Sequence, residues 1–209
     1  MKIKYLALLA LAANMAHATV ILTVGNAGGG LSNVLTNGSG VQTGLTVLGT
    51  VNGQTTNFTS TETLTAQGGQ AKVDSLDAVL NSPLTFSIPG YSFTLIEFNP
   101  ELTGATKPAG SVLTVNTIGA GPLGAENLSF TTTLANGENR FYLTASDGES
   151  IQSVTLSGGL GYSDMKQVRV GALSPIGGGG VGSPVPEPAT FLMLGAGLLA
   201  VGFRRKVVA

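Results

Sequence analysis

The feature that most limits what this chain can fold into is a long series of short alternating segments, each closed by a glycine-containing turn. Leu45 to Val51 and Gln54 to Thr65 flank Asn52-Gly53, a dipeptide suited to a two-residue hairpin. Leu84 to Ile88 ends at Pro89-Gly90, and Ser92 to Phe98 is rich in aromatic and β-branched residues. Ser111 to Ile118 alternates Val, Thr and Leu. Leu128, Phe130, Thr132 and Leu134 share one face before Asn136-Gly137, and Phe141, Leu143 and Ala145 face inward with Tyr142 and Thr144 outward. Ser146-Asp147-Gly148-Glu149 turns the chain into Ile151 to Leu156, and Val168, Val170 and Ala172 alternate with Arg169 and Gly171. About ten strands at spacings of roughly 8–12 residues predict an all-β, antiparallel β-sandwich over residues 19–174. Only Lys72 to Leu80 offers a competing reading, as one helical turn.

Composition agrees and excludes much chemistry. Gly makes up 31 of 209 residues, and charged residues are 10%, against about 25% in an average protein. There is no Cys and no Trp, so no disulfide framework and no thiolate chemistry. Between Thr19 and Ser183 there are five basic residues (Lys72, Lys107, Arg140, Lys166, Arg169) and ten acidic ones. A mildly acidic segment of this kind disfavours nucleic acid and anionic membrane surfaces as partners.

The two ends read differently from the middle. Lys2 and Lys4 precede an apolar run from Tyr5 to Ala13, and Ala16-His17-Ala18 gives a small-x-small cleavage pattern. Residues 1–18 are therefore expected to be a signal helix removed by signal peptidase before Thr19. The single His of the chain is His17, so the mature protein would lack both His and Cys. That rules out a Ser-His-Asp triad and a zinc site of imidazole or thiolate.

At the other end, residues 175–184 hold a Gly- and Pro-rich linker. Val185-Pro186-Glu187-Pro188 then precedes an apolar stretch from Ala189 to Phe203 and the basic cluster Arg204-Arg205-Lys206. Such a helix would reach about 22 Å, short of the ~30 Å hydrocarbon core, and can still span if Arg and Lys snorkel. The basic cluster is the expected cytoplasmic stop of a single transmembrane helix, with the rest of the chain outside. An ordinary single-pass anchor is the plainer alternative, but it needs no VPEP.

These three parts together, over residues 185–209, resemble the PEP-CTERM sorting signal of Gram-negative bacteria. The resemblance implies recognition of Val185, Pro186, Glu187 and Pro188 by an exosortase-type processing enzyme. It also implies an inner-membrane intermediate, final placement at the cell surface or extracellular matrix, and an association with exopolysaccharide. A second resemblance lies at the domain's end. The stretch GENRFYLTASDGESIQSVTL, then SDMKQVRV, is similar to the closing strands of exported bacterial jelly-roll modules, with Asp164 before the last strand. Gly44 to Leu76 is similar to the opening of such domains.

Within the domain, carboxylates are the only acid–base groups. A glycosidase needs two of them about 5 to 9.5 Å apart. Glu97 and Glu101 flank Asn99-Pro100, and Asp147 and Glu149 share a turn; both pairs read as surface-loop residues, and no catalytic residue is expected. Asp147, Glu149 and Asp164 in Gly-rich turns could supply oxygens to Ca²⁺, but no calcium motif surrounds them, so neither metal nor cofactor is expected. Tyr91, Tyr142 and Tyr162 are the candidates for stacking on a sugar. Thr59, Thr61, Thr63 and Thr65 alternate along one segment and would form a row of about 6.6–6.8 Å spacing on a strand. Such an array is the physics of an ice-binding surface, although one row is too small for it. The expectation is a non-enzymatic exported β-domain, with a carbohydrate-binding module as the alternative.

Overall fold

The structure, a computed structural model, describes residues 19–36, 40–102, 111–119, 127–158 and 162–176. The expected signal helix, most of the linker, and the sorting and transmembrane segment lie outside the described residues. The strands are β1 (Thr19–Val24), β2 (Ser32–Asn33), β3 (Leu35–Thr36), β4 (Gln42–Val51), β5 (Gln54–Ala66), β6 (Gly69–Gln70), β7 (Lys72–Ser75) and β8 (Leu84–Ser87). They continue as β9 (Tyr91–Leu102), β10 (Ser111–Gly119), β11 (Asn127–Leu134), β12 (Gly137–Glu138), β13 (Phe141–Ser146), β14 (Ile151–Gly158) and β15 (Asp164–Pro175). The pairings among the described residues are all antiparallel.

The turns follow the residue chemistry. Asn52 and Gly53 both have positive φ, 50° and 78°, the combination that matches the twist of a two-residue hairpin. Asp147 and Gly148 repeat it with φ 56° and 88°, and Glu149 N–H closes the turn on the Ser146 carbonyl at 3.0 Å, but β13 and β14 do not pair: β13 joins β1 and β9, β14 joins β8, β9 and β10. Pro89-Gly90 likewise joins strands that do not pair. β8 pairs with β5 and β14, whereas β9 pairs with β13 and β15. This turn is therefore an arch from one wall of the core to the other, not a hairpin.

The strands form one continuous sheet rather than two separate ones. β9 pairs with β15, β15 with β7, β7 with β5, β5 with β8, and β8 with β14. Ile151 of β14 then meets Phe93 of β9 and closes the ring. β5 makes this possible. Between the pairs Gly44–Leu64 and Thr46–Thr59, two steps of β4 oppose five of β5. The excess residues bend β5: β4 runs along both halves, while on its other edge Asn57 to Ser60 joins β8 and Leu64 to Ala66 joins β7. Of the two readings of this stretch, a strand within Ala71 to Leu76 and one helical turn in Lys72 to Leu80, the strand is the one adopted. Lys72–Ser75 is β7, because Val73 faces the core and Ala66 offers a free strand to pair with.

One core fills the ring. Phe58, Phe86 and Phe93 form a chain of tilted ring contacts at centroid distances of 5.1 and 5.9 Å. Phe98 and Phe141 form a second contact at 6.1 Å. The alternation expected of Phe141, Leu143 and Ala145 is seen, since all three are buried and Tyr142 and Thr144 are not. Ala172 departs from it: it has φ 51° and is exposed, while Gly171 is buried against Leu31 and Leu95. Phe86 touches both neighbouring rings, so Phe86→Ala should cost about 3–5 kcal/mol, read as a lowered denaturation midpoint with an unchanged m-value.

Candidate functional site

Charge in this domain is gathered on the outward side of β9, β12 and β15. Glu97 lies inside β9 opposite Arg169 of β15 and Tyr142 of β13. It is fully buried. Its carboxylate takes Arg169 Nη2 and, at 3.5 Å, Arg140 Nη1 on one oxygen. The backbone N–H of Ala27 donates to the other at 2.9 Å. The segment from Gly25 to Leu31 thus lies over β9 and seals the ion cluster. Further along, Lys166 Nζ binds Glu101 at 2.6 Å and Glu138 at 3.5 Å, and Arg140 binds Glu138 at 3.6 Å. Lys72 reaches Asp164 at 3.3 Å. Four of the five basic residues of the segment end in this seam, and the fifth, Lys107, lies outside the described residues.

An amide network ties the seam together. Asn139 is buried, accepts the N–H of Ala135 at 2.7 Å, and donates to the carbonyls of Ala135 and Gly137 at 2.9 Å each. Its own N–H donates to Asn99 Oδ1 at 2.8 Å, and Asn99 Nδ2 donates to Gln167. Gln167, with φ 55°, sits at a bulge where Lys166 to Arg169 opposes only Asn99 to Glu97. That bulge turns Arg169 toward Glu97.

This geometry corrects the reading of Glu97 and Glu101 as loop residues. Both lie in β9, where Pro100 is accommodated opposite Met165. Four residues of strand put their backbones about 13 Å apart, and the carboxylates are held by Arg169, Arg140 and Lys166 rather than left free to act as an acid–base pair. Asp147 remains in an exposed turn, but Glu149 is buried. Asp164 is the buried first residue of β15, not part of a Gly-rich turn. Ile151, two residues after Glu149, is opposite Phe93, and Asp164 is opposite Glu101, so the two segments join β9 at points about 26 Å apart along its backbone. The three proposed calcium ligands do not meet. Among the described residues no group of three or more Asp, Glu, His or Cys is placed to hold a metal ion.

The tyrosines separate as well. Tyr162 is completely buried, bridged to Leu80 by backbone bonds of 2.7 and 3.1 Å, and burial pushes its hydroxyl above the usual phenol range. It is a core residue and cannot stack on a sugar. Tyr142 and Tyr91 are half-buried, the latter packed on the core. The threonine row is broken by the bend of β5: Thr59 lies beside Thr85 of β8, whereas Thr65 lies beside Asp74 of β7. A different row replaces it, running across strands. Thr46, Thr59, Thr85 and Thr155 are successive register partners. Their hydroxyls meet at 3.3 Å (Thr46–Thr59) and 2.8 Å (Thr85–Thr155). Leu48, Asn57, Ser87 and Ser153 form the next row. No charged residue stands in either row.

One carboxylate pair is strained. Asp74 and Asp164 are register partners on β7 and β15, and one oxygen of each is buried without a hydrogen bond. Burial, then the neighbouring carboxylate, raises Asp74; burial also raises Asp164 against the pull of Lys72. A carboxyl raised in the folded state binds its proton more tightly there than in the unfolded chain. Stability from this pair is therefore present at low pH and lost as pH rises through the raised values. Asp74→Asn should raise the melting temperature at pH 7, and the gain should shrink as the pH is lowered toward 4. An unchanged melting temperature at pH 7 would contradict this reading.

Comparison with known proteins places the tail and not the domain. Residues 184–206 match the family described as the PEP-CTERM protein-sorting motif. The chain thus carries a sorting motif that contains Val185, Pro186, Glu187 and Pro188 as well as Arg204, Arg205 and Lys206, and such a motif implies an exported protein. No curated protein matches the chain. Among solved structures, a point mutant of the family 29 carbohydrate-binding module CBM29-2 is similar at 10% identity and a TM-score of 0.30, covering 74% of this chain and 89% of that one. The C-terminal CBM6 of LamC from Zobellia galactanivorans is similar at 14% identity and a TM-score of 0.17, covering 60% and 98%. Likenesses this distant carry no argument about ligand or activity.

Proposed function

We propose that this is a non-enzymatic exported protein of the cell surface or extracellular matrix. In this reading its tail is processed by an exosortase-type enzyme and its domain associates with exopolysaccharide. The observation that carries the proposal is the three-part tail matched at residues 184–206. Two features of the domain support it. The carboxylates best placed for chemistry, Glu97 and Glu101, are held by Arg169, Arg140 and Lys166 in ion pairs that brace the sheet. The rows through Thr59 and Asn57 offer hydroxyl and amide groups with no charge, a surface suited to a neutral hydrated polymer.

The test is a pair of assays on the full chain with exopolysaccharide from its own host. The chain should co-sediment with the polymer and release no new reducing ends over extended incubation. Release of reducing ends that disappears in Glu101→Ala would make the protein an enzyme. Failure to co-sediment would remove the polysaccharide from the proposal.

A further inference from the structure

A strand at the margin of a sheet presents a row of unpaired backbone groups, and stable proteins blunt such margins with charge, proline, bulges or a cover. The margin at β4 is blunted in three ways. Its register breaks between Gly44 and Thr46, and β3 covers Gly49 and Thr50. The side-chain amide of Gln42 occupies both backbone groups of Leu48, donating to its carbonyl at 2.8 Å and accepting from its N–H at 2.9 Å. Among the described residues, the margin at β1 has none of these. Its sequence TVILTV has no charge and no proline. Its register with β13 is unbroken from Thr19 to Val24, and among the described strands it stands at one end of the order, with β11 at the other. Ile21 is 53% exposed and Val24 72%.

The phase of the open backbone groups can be read from one bond. Gly25 N–H donates to the carbonyl of Arg140 at 2.8 Å. In an antiparallel ladder the direction of these groups alternates. Odd-numbered residues of β1 therefore point to β13, and Val20, Leu22 and Val24 point to the open margin. The side chains of the same three residues share one face: Val20 is buried, Leu22 packs on the core, and Val24 is left uncovered.

These facts select an occupant. If a second β1 runs antiparallel with Leu22 opposite Leu22, Val20 falls opposite Val24 and Ile21 opposite Thr23. Each open backbone group then meets an open group, and apolar side chains meet apolar side chains on the inner face. A shift by one residue would bring opposite faces together. The strand is thus complementary to itself in one register, with no charge to desolvate. A contact of this kind closes at two copies.

We propose that β1 pairs with β1 of a second copy of this chain, antiparallel and centred on Leu22, so that the sheet continues across a two-fold dimer. Because the chain contains no Cys, one introduced thiol reports one contact. Full-length protein in detergent carrying Leu22→Cys should form a disulfide-linked dimer under mild oxidation. Opposed Cα atoms in hydrogen-bonded positions are about 5.5 Å apart, within disulfide range. Leu76→Cys, on an exposed residue after β7, should not. Adding Val24→Lys to Leu22→Cys should remove most of the covalent dimer, since it sets a lysine against Val20 of the second copy. Without any cysteine, the wild-type chain should sediment as a dimer and Val24→Lys as a monomer at the same concentration. A monomeric wild type, equal crosslinking at Leu22→Cys and Leu76→Cys, or a dimer that survives Val24→Lys overturns the proposal.

Discussion

Replacing Glu97 by Gln is expected to destabilise the domain by about 3–5 kcal/mol, the cost of leaving a buried cation without its partner. Glu97 is fully buried and its two guanidinium partners are mostly so, with 26% and 32% of the Arg169 and Arg140 side chains exposed. Arg140 keeps Glu138 after the change. Arg169 keeps nothing comparable, and its Nε is already buried without a hydrogen bond. The N–H of Ala27 also loses a charged acceptor, which should loosen the Gly25–Leu31 cover. Denaturant unfolding of the single and double variants checks the cause. Arg169→Met combined with Glu97→Gln should cost clearly less than the sum of the two, because the second change removes the charge that the first left unpaired. A loss below about 1 kcal/mol for Glu97→Gln would mean that water reaches the cluster and screens it.

That cluster also shows where sequence reading stops. Alternation was sufficient for Phe141, Leu143 and Ala145, because a strand with one buried face writes its pattern locally. Asn52-Gly53 and Asp147-Gly148 were legible for the same reason, as positive φ is a local demand. Glu97 was not legible. It is placed by partners 43 and 72 residues away, and the string Glu-Phe-Asn-Pro-Glu reads locally as a turn with two surface acids. The bend of β5 was hidden too. An unbroken run of Thr at every second position looks like one flat strand, and only the register break against β4 and the change of neighbour from β8 to β7 show that its halves diverge. Ala71 to Leu76 reads as a strand from its sequence, and the edges of β5 and β15 decide for it against the helical turn that Lys72 to Leu80 also allows. The tail is the converse case. VPEP, the apolar stretch and RRK are contiguous, so the motif needed no tertiary information.

In the proposed reading export depends on residues 1–18 and sorting on the tail, and both can be followed in one experiment. Pulse-labelled chain is recovered from its host at intervals, fractionated into membrane and extracellular pools, and sized by intact mass. In the wild type residues 1–18 should be lost first and the tail later, with the trimmed chain leaving the membrane. With Pro186, Glu187 and Pro188 all changed to Ala, the signal should still be removed after Ala18, but the tail should persist and the precursor should accumulate in the membrane. A triple variant that is trimmed and released at the wild-type rate would contradict the account.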